Sequence, residues 1–209
     1  MGETSELTII IPAYNEAENL KIILPSVIEL CTRHSWKIIV VNDGSKDNSN
    51  AILKSFEDVG QLSVVHHKLN KGYGAAIKSG ILASLTEYTI TIDADGQHRM
   101  EDVEKLFGYL KKRDADMVVG SRKGIKSATV SRGIGKSIIR IIAKMLMTVP
   151  IYDINSGMKI FRTELARKYL SLTPDTMAYS DIITLVFINN RHLVVELPIT
   201  IGSRLQGKS

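Results

Sequence analysis

Short apolar runs alternate with amphipathic stretches along most of the chain. Leu7 to Ala13 is apolar almost throughout and of strand length, the pattern of a strand buried on both faces. Asn15 and Glu18 follow as an N-x-x-E pair, a variant of the capping box, and predict a helix start. Leu20, Ile23, Leu24, Val27, Ile28 and Cys31 then recur at helical spacing, so this helix should bury one face. The alternation continues through strand Lys37 to Val41, helix Ser45 to about Phe56, strand Leu62 to His66 and helix Gly74 to Leu85. Strand Tyr88 to Ile92, helix Glu101 to Lys112 and strand Met117 to Val119 complete it. This order predicts an α/β fold, a mainly parallel sheet with helices on both faces.

In such sheets ligands bind at the carboxyl ends of the strands. The predicted exits read Pro12-Ala13-Tyr14-Asn15-Glu16, Asn42-Asp43-Gly44-Ser45, Asp93-Ala94-Asp95-Gly96-Gln97 and Gly120-Ser121-Arg122. Polar residues stand at nearly every one. After Gly133 the pattern changes. Ile134 to Met147 predicts a helix with Ile138, Ile141, Ile142, Met145 and Leu146 apolar, while Arg132, Lys136, Arg140 and Lys144 recur at every fourth position. A basic amphipathic helix of this kind suits an anionic membrane surface, and equally a packed helix with a solvated side. A strand near Met158 to Phe161, a helix near Ser180 to Asn189 and a strand from Leu193 to Ile201 follow.

Composition narrows the class. A chain of 209 residues with 44% hydrophobic and 23% charged residues suits one well-buried domain. No run approaches the roughly 18 to 20 apolar residues of a membrane span, and Met1 to Glu6 is polar, unlike a signal peptide. The one cysteine, Cys31, forms no internal disulfide and continues the apolar face of its helix. Charge is uneven. Between Asp116 and Asp153 there is no acidic residue, yet Arg122, Lys123, Lys126, Arg132, Lys136, Arg140 and Lys144 all fall there, and their seven charges exceed the net +5 of the chain. Such a segment points to an anionic partner or to a solvated basic face.

Asp93-Ala94-Asp95 is the sharpest local feature. Two carboxylates one residue apart at the end of an apolar strand call for a cation, and a hard divalent ion uses such oxygens together with phosphate oxygens and water. Gln97 offers an amide oxygen as a further metal ligand. Asp43 could accept hydrogen bonds from a nucleoside, although Asp-Gly-Ser is also ordinary turn chemistry. Arg122 is suited to phosphate. Gly202 to Ser209 spells G-x-x-x-x-G-K-S, but a phosphate loop needs a following helix and none is expected here. His34, His66, His67, His98 and His192 show no zinc spacing, and Trp36 and the seven tyrosines form no evident stacking array. The basic segment therefore matches phosphate or membrane better than nucleic acid.

Taken together, Ile9-Ile10-Ile11-Pro12-Ala13-Tyr14-Asn15-Glu16, Val40-Val41-Asn42-Asp43-Gly44-Ser45, Asn70-Lys71-Gly72, Asp93-Ala94-Asp95-Gly96-Gln97-His98 and Gly120-Ser121-Arg122 resemble the family-2 inverting glycosyltransferases with the Rossmann-like GT-A fold. With Asn155-Ser156-Gly157 the pattern is similar to the polyprenyl-phosphate branch, which includes the dolichol-phosphate mannose synthases. The resemblance implies that Pro12, Tyr14, Glu16, Val41 and Asp43 hold the nucleoside of a UDP- or GDP-sugar. It implies that Asp93, Ala94, Asp95 and Gln97 hold Mg²⁺ or Mn²⁺ and the diphosphate. Arg122 and Arg204 would then meet donor or acceptor phosphates, and Asp153 would be a carboxylate near the acceptor phosphate. Asp95, Asp153 and Arg122 are the expected catalytic residues.

Two departures limit the transfer. Many members have Asp-Asp where this chain has Asn42-Asp43, so Asn42 is not carried over as a ligand. The branch's Arg-x-x-Gly-x-Ser-Lys is matched by Arg204, Gly207 and Ser209 but not by its lysine. The resemblance also implies one catalytic domain over residues 1–209, ending before membrane helices and working on the cytoplasmic face of an anionic membrane. A saccharide acceptor, a sugar-phosphate nucleotidyltransferase and a phosphate-loop nucleotide-binding module are the alternatives. The sugar, the base and the oligomeric state are not legible.

Overall fold

A computed structural model describes residues 5–122 and 151–202. The predicted helix Ile134 to Met147, the basic run beyond Arg122, and Arg204 lie outside the described residues. So does the phosphate-loop look-alike after Gly202. The strands are β1 (Leu7–Ala13), β2 (Lys37–Asn42), β3 (Leu62–His66), β4 (Tyr88–Thr91), β5 (Met117–Ser121), β6 (Lys159–Arg162) and β7 (Val194–Pro198). The helices are α1 (Ala17–His34), α2 (Ser49–Lys54), α3 (Tyr73–Ala83), α4 (Met100–Arg113), α5 (Thr163–Tyr169) and α6 (Tyr179–Asn189).

The strands form one sheet in the order β3-β2-β1-β4-β6-β5-β7, parallel except for β6, which runs antiparallel to β4 and β5. The apolar run of β1 has the cause its sequence suggests. Leu7, Ile9, Ile11 and Ala13 pack under α1 and α4, while Ile10 packs under α3, and all are buried. Each isoleucine so buried contributes about 2 kcal/mol. On the second face, Ala76, Ile77 and Ile81 of α3 meet Ala166 of α5 and Ile183 and Phe187 of α6.

Three local expectations change. Asn15 and Glu18 do not form a capping box: α1 begins at Ala17, whose N–H donates to Asp47 Oδ2 (3.1 Å), and the Glu16 N–H donates to Ser49 Oγ (3.1 Å). Asn15 instead adopts φ +56° and accepts the Lys46 N–H (2.8 Å), so the cap comes from the loop after β2. That loop occupies residues expected to be helical, and α2 starts only at Ser49. Helix α5 was not foreseen because its seven residues are too few to show a period.

Candidate active site

Strand order reverses at β1: β2 and β3 lie on one side and β4 on the other. A crevice opens at such a switch point. Here it is a cleft of about 580 Å³. Pro12, Ala13, Tyr14 and Glu16 form the β1 side, Asp43 the end of β2, and Asp93, Ala94 and Asp95 the exit of β4. Asn70, Gly72, Tyr73 and Ala76, with Thr176 and Met177, close the remaining wall.

Asp43 is buried, and its carboxylate organises the wall opposite Tyr14. Its Oδ1 accepts the Lys71 N–H (2.9 Å) and lies 2.6 Å from His67 Nδ1, while Oδ2 accepts the Gly72 N–H (2.8 Å). Asp43 therefore holds its surrounding loops together at the edge of the cleft. Gly72 has φ +102°, and a Cβ there would lie 2.5 Å from the Asp175 carbonyl oxygen. That carbonyl in turn accepts the Gly74 N–H (2.8 Å) at the start of α3, which docks the loop carrying Thr176 and Met177.

Asp93 is held from three sides. Tyr73 Oη donates to Oδ1 (2.9 Å), His98 Nε2 lies 3.4 Å from Oδ2, and a Cβ on Gly157 would approach Oδ2 to 2.2 Å. Burial alone would raise the Asp93 pKa. The His98 hydrogen bond and charge, then Tyr73 and Lys159, outweigh it and hold the carboxyl below its ordinary range. Burial and the neighbouring Asp93 push the Tyr73 phenol well above its ordinary value. Asp95 is less encumbered, with Oδ1 accepting the Gln97 N–H (3.1 Å).

Among the described residues no group of three or more His, Cys, Asp or Glu side chains gathers as a metal cage. Two carboxylates at a cleft instead fit a hard divalent ion that completes its shell with water and substrate phosphate. Gln97 Nε2 donates to the Gly202 carbonyl (3.1 Å), a bond that leaves its amide oxygen uncommitted.

Beyond the cleft, Arg122 and Asp153 meet each other. Nε donates to Oδ2 (2.6 Å), a terminal nitrogen donates to Oδ1 (2.7 Å), and the Arg122 N–H adds a third bond (3.1 Å). This fork holds Asp153 below its ordinary pKa against the opposing effect of burial, and raises that of Arg122. Val41 is fully buried in the core below α3 and is not among the residues that line the cleft. Sequence reasoning missed Tyr73, Thr176 and Met177, and it missed the buried Lys159. Gly72 and Gly74 flanking Tyr73 were a usable signal for the first, since paired glycines mark close backbone approach.

Solved structures with this fold are glycosyltransferases of the GT-A class. Glucosyl-3-phosphoglycerate synthase from Mycobacterium tuberculosis, solved with Mn²⁺, UDP and phosphoglyceric acid, matches at a TM-score of 0.75 and 16% identity, over 97% of this chain and 72% of that one. TarS from S. aureus, residues 1–349, matches at 0.67 and 18% identity, over 93% of this chain and 60% of that one.

The chain belongs to glycosyl transferase family 2, whose sequence model matches residues 8–170. It is 32% identical to polyprenol monophosphomannose synthase of Mycolicibacterium smegmatis, over 99% of this chain and 81% of that protein. It is 30% identical to dolichyl-phosphate beta-glucosyltransferase of Dictyostelium discoideum, over 78% of this chain but 55% of that protein, so it spans about half of this second relative. UDP-N-acetylglucosamine–dolichyl-phosphate N-acetylglucosaminyltransferase of Methanococcus voltae matches at 30%, over 78% and 71%.

Proposed function

We propose that the chain transfers a sugar from a UDP- or GDP-sugar to a polyprenyl phosphate, with inversion at the anomeric carbon, at the cytoplasmic face of an anionic membrane. The observation that carries this reading is the single cleft joining the exits of β1, β2 and β4, with Tyr14 and Asp43 at one part and Asp93 and Asp95 at another. The three named relatives bear polyprenol or dolichyl phosphate in their names, which supports the acceptor class. Among the described residues no helix is long and apolar enough to cross a membrane.

Pro12, Tyr14, Glu16 and Asp43 hold the nucleoside, and Asp93, Ala94 and Asp95 stand at the diphosphate. Mg²⁺ or Mn²⁺ bound at Asp93 and Asp95 supplies Lewis-acid stabilisation of the charge that develops as the nucleoside diphosphate leaves. Tyr73, His98 and Gly157 keep the Asp93 carboxylate in one orientation. Arg122, fixed by Asp153, orients the acceptor phosphate, whose oxygen is already anionic near neutral pH and needs no strong general base.

The test pairs thermal shift with product analysis. UDP, GDP and their sugars are each added with and without Mn²⁺. One base should raise the melting temperature in a metal-dependent way, by the equivalent of about 2.7 kcal/mol at a hundredfold excess over Kd. The matching sugar donor should release the nucleoside diphosphate once a polyprenyl phosphate is supplied. Release of pyrophosphate, or no turnover with either base, would overturn the reading.

A further inference from the structure

The hydrogen bonds that converge on Asp43 leave it little to offer a ligand. The loop after β3 folds back over the end of β2, and Gly44, at φ +70°, lets it pass: a Cβ there would lie 2.5 Å from the Leu69 carbonyl carbon. In that loop the His67 N–H donates to the Asn42 carbonyl (2.9 Å). The imidazole is buried against Asp43, the two side chains being 5% and 3% exposed. A carboxylate oxygen has no hydrogen to give, so His67 Nδ1, 2.6 Å from Oδ1, is the donor of that bond. Nε2 lies 2.8 Å from Ser79 Oγ, which anchors the ring to α3.

A carboxylate has about four acceptor sites, two on each oxygen. Among the described residues, Oδ1 receives two donors, His67 Nδ1–H and the Lys71 N–H, and Oδ2 receives one, the Gly72 N–H. Oδ1 is therefore full. One site on Oδ2 remains for whatever enters the cleft that Asp43 lines. The bases of the two candidate sugar donors differ in what they ask of it. Uracil presents a single ring N–H between two carbonyls. Guanine presents its ring N–H beside an amino group, a pair that occupies both oxygens of a carboxylate. Against one open site, guanine leaves one of these groups without its partner, and an unpaired buried donor is costly.

We propose that His67 is a positioning residue that sets base selection. By filling Oδ1 of Asp43 it makes the site take a UDP-sugar and discriminate against a GDP-sugar. The proposal rests on the donor-site reading above and narrows it. The Lys71 and Gly72 donors are backbone groups that a substitution leaves in place, so the side chain at position 67 decides how many sites stay open. A histidine that merely supported packing would, when replaced, weaken both nucleotides alike.

The experiment measures binding of UDP, GDP and inosine 5′-diphosphate by calorimetry, with Mn²⁺ in fixed excess. Inosine carries the ring N–H of guanosine without the amino group. The unsubstituted chain should bind UDP about tenfold more tightly than GDP. It should bind the inosine nucleotide within about threefold of GDP, because the amino group has no acceptor at Asp43 to lose. The chain is then compared with His67→Phe, His67→Leu and His67→Asn, each checked for folding by circular dichroism and melting temperature. His67→Phe and His67→Leu open a site on Oδ1, so the preference for UDP over GDP should shrink about fivefold. His67→Asn offers an amide N–H in place of Nδ1–H and should keep the preference within about twofold.

GDP binding as tightly as UDP overturns the proposal, and so does inosine diphosphate binding more than about tenfold more weakly than GDP. A preference that moves by less than about twofold in a folded Phe or Leu variant also overturns it. Loss of folding in both of these with His67→Asn intact does the same, because the bond to Asp43 would then serve the fold. If the unsubstituted chain binds none of the three nucleotides with Mn²⁺, it is the donor-site reading that has failed, and the variants are not needed to see it.

Discussion

The part of the sheet made by β3, β2, β1 and β4 and the part made by β6, β5 and β7 are built on different plans. In the first the four strands are parallel to one another and each is followed in the chain by a helix. In the second, β6 runs against both neighbours and enters from a turn. Each part holds a buried aspartate, and they are used differently. Asp43, at the end of β2, accepts hydrogen bonds from the loop after β3 and so shapes a wall, whereas Asp153 is spent on fixing a cation, Arg122. The parallel βα repeat thus places Asp43, Asp93 and Asp95 at strand ends, while Asp153, in the turn before β6, is placed by its pairing with Arg122 at the exit of β5.

The sharpest way to break this contrast is Asp95→Ala. Asp95 stands at the strand exit and supports little else, so turnover should fall about a thousandfold with stability changed by about 1 kcal/mol or less. Metal-dependent turnover that survives in a steady-state assay would remove Asp95 from the site.

Gly157→Ala probes the seam between the two parts. Its Cβ would need the place of the Asp93 carboxylate, at 2.2 Å, so one of them must shift. A displacement near 1 Å should cost about a hundredfold in kcat/KM, and the overpacking about 1–3 kcal/mol in chemical denaturation.

Asp153→Asn tests the insertion alone. The folded pKa of Asp153 is depressed, so its contribution is complete above the unfolded carboxyl value and is lost as pH falls through the folded one. The variant should be less stable at neutral pH by about 1–3 kcal/mol, a range kept low because Arg122 is 45% exposed. Unfolding curves of the two proteins should converge in acid. A gap that persists there would mean that packing, not the ion pair, is at stake.

Tyr73→Phe should have the smallest effect. It removes one hydrogen bond to Asp93, worth about 1 kcal/mol, and should lower kcat/KM a few-fold without changing nucleotide binding in a filter or calorimetric assay.

The βα repeat was readable because β1, β2 and β4 are buried on both faces and their exits are marked by Pro, Asn, Asp or Gly. Tyr14, Glu16, Asp43, Asp93 and Asp95 were found in this way, and they line one cleft. The same reasoning offered Val41, which the fold buries in the core and which does not line the cleft. Asn15 was read as a cap because local spacing cannot see that Asp47 and Ser49 arrive from the next loop.

The sequence by itself determined the parallel α/β plan and the carboxylates at its strand ends, since both follow from short-range periodicity and turn chemistry. Only the tertiary structure decided that Arg122 clamps Asp153, that Gly157 leaves room for Asp93, and that Lys159 is buried with its ammonium on the Ser156 carbonyl. Those facts depend on β6 entering antiparallel between β4 and β5. That pairing joins residues some seventy positions apart, and no local pattern records it.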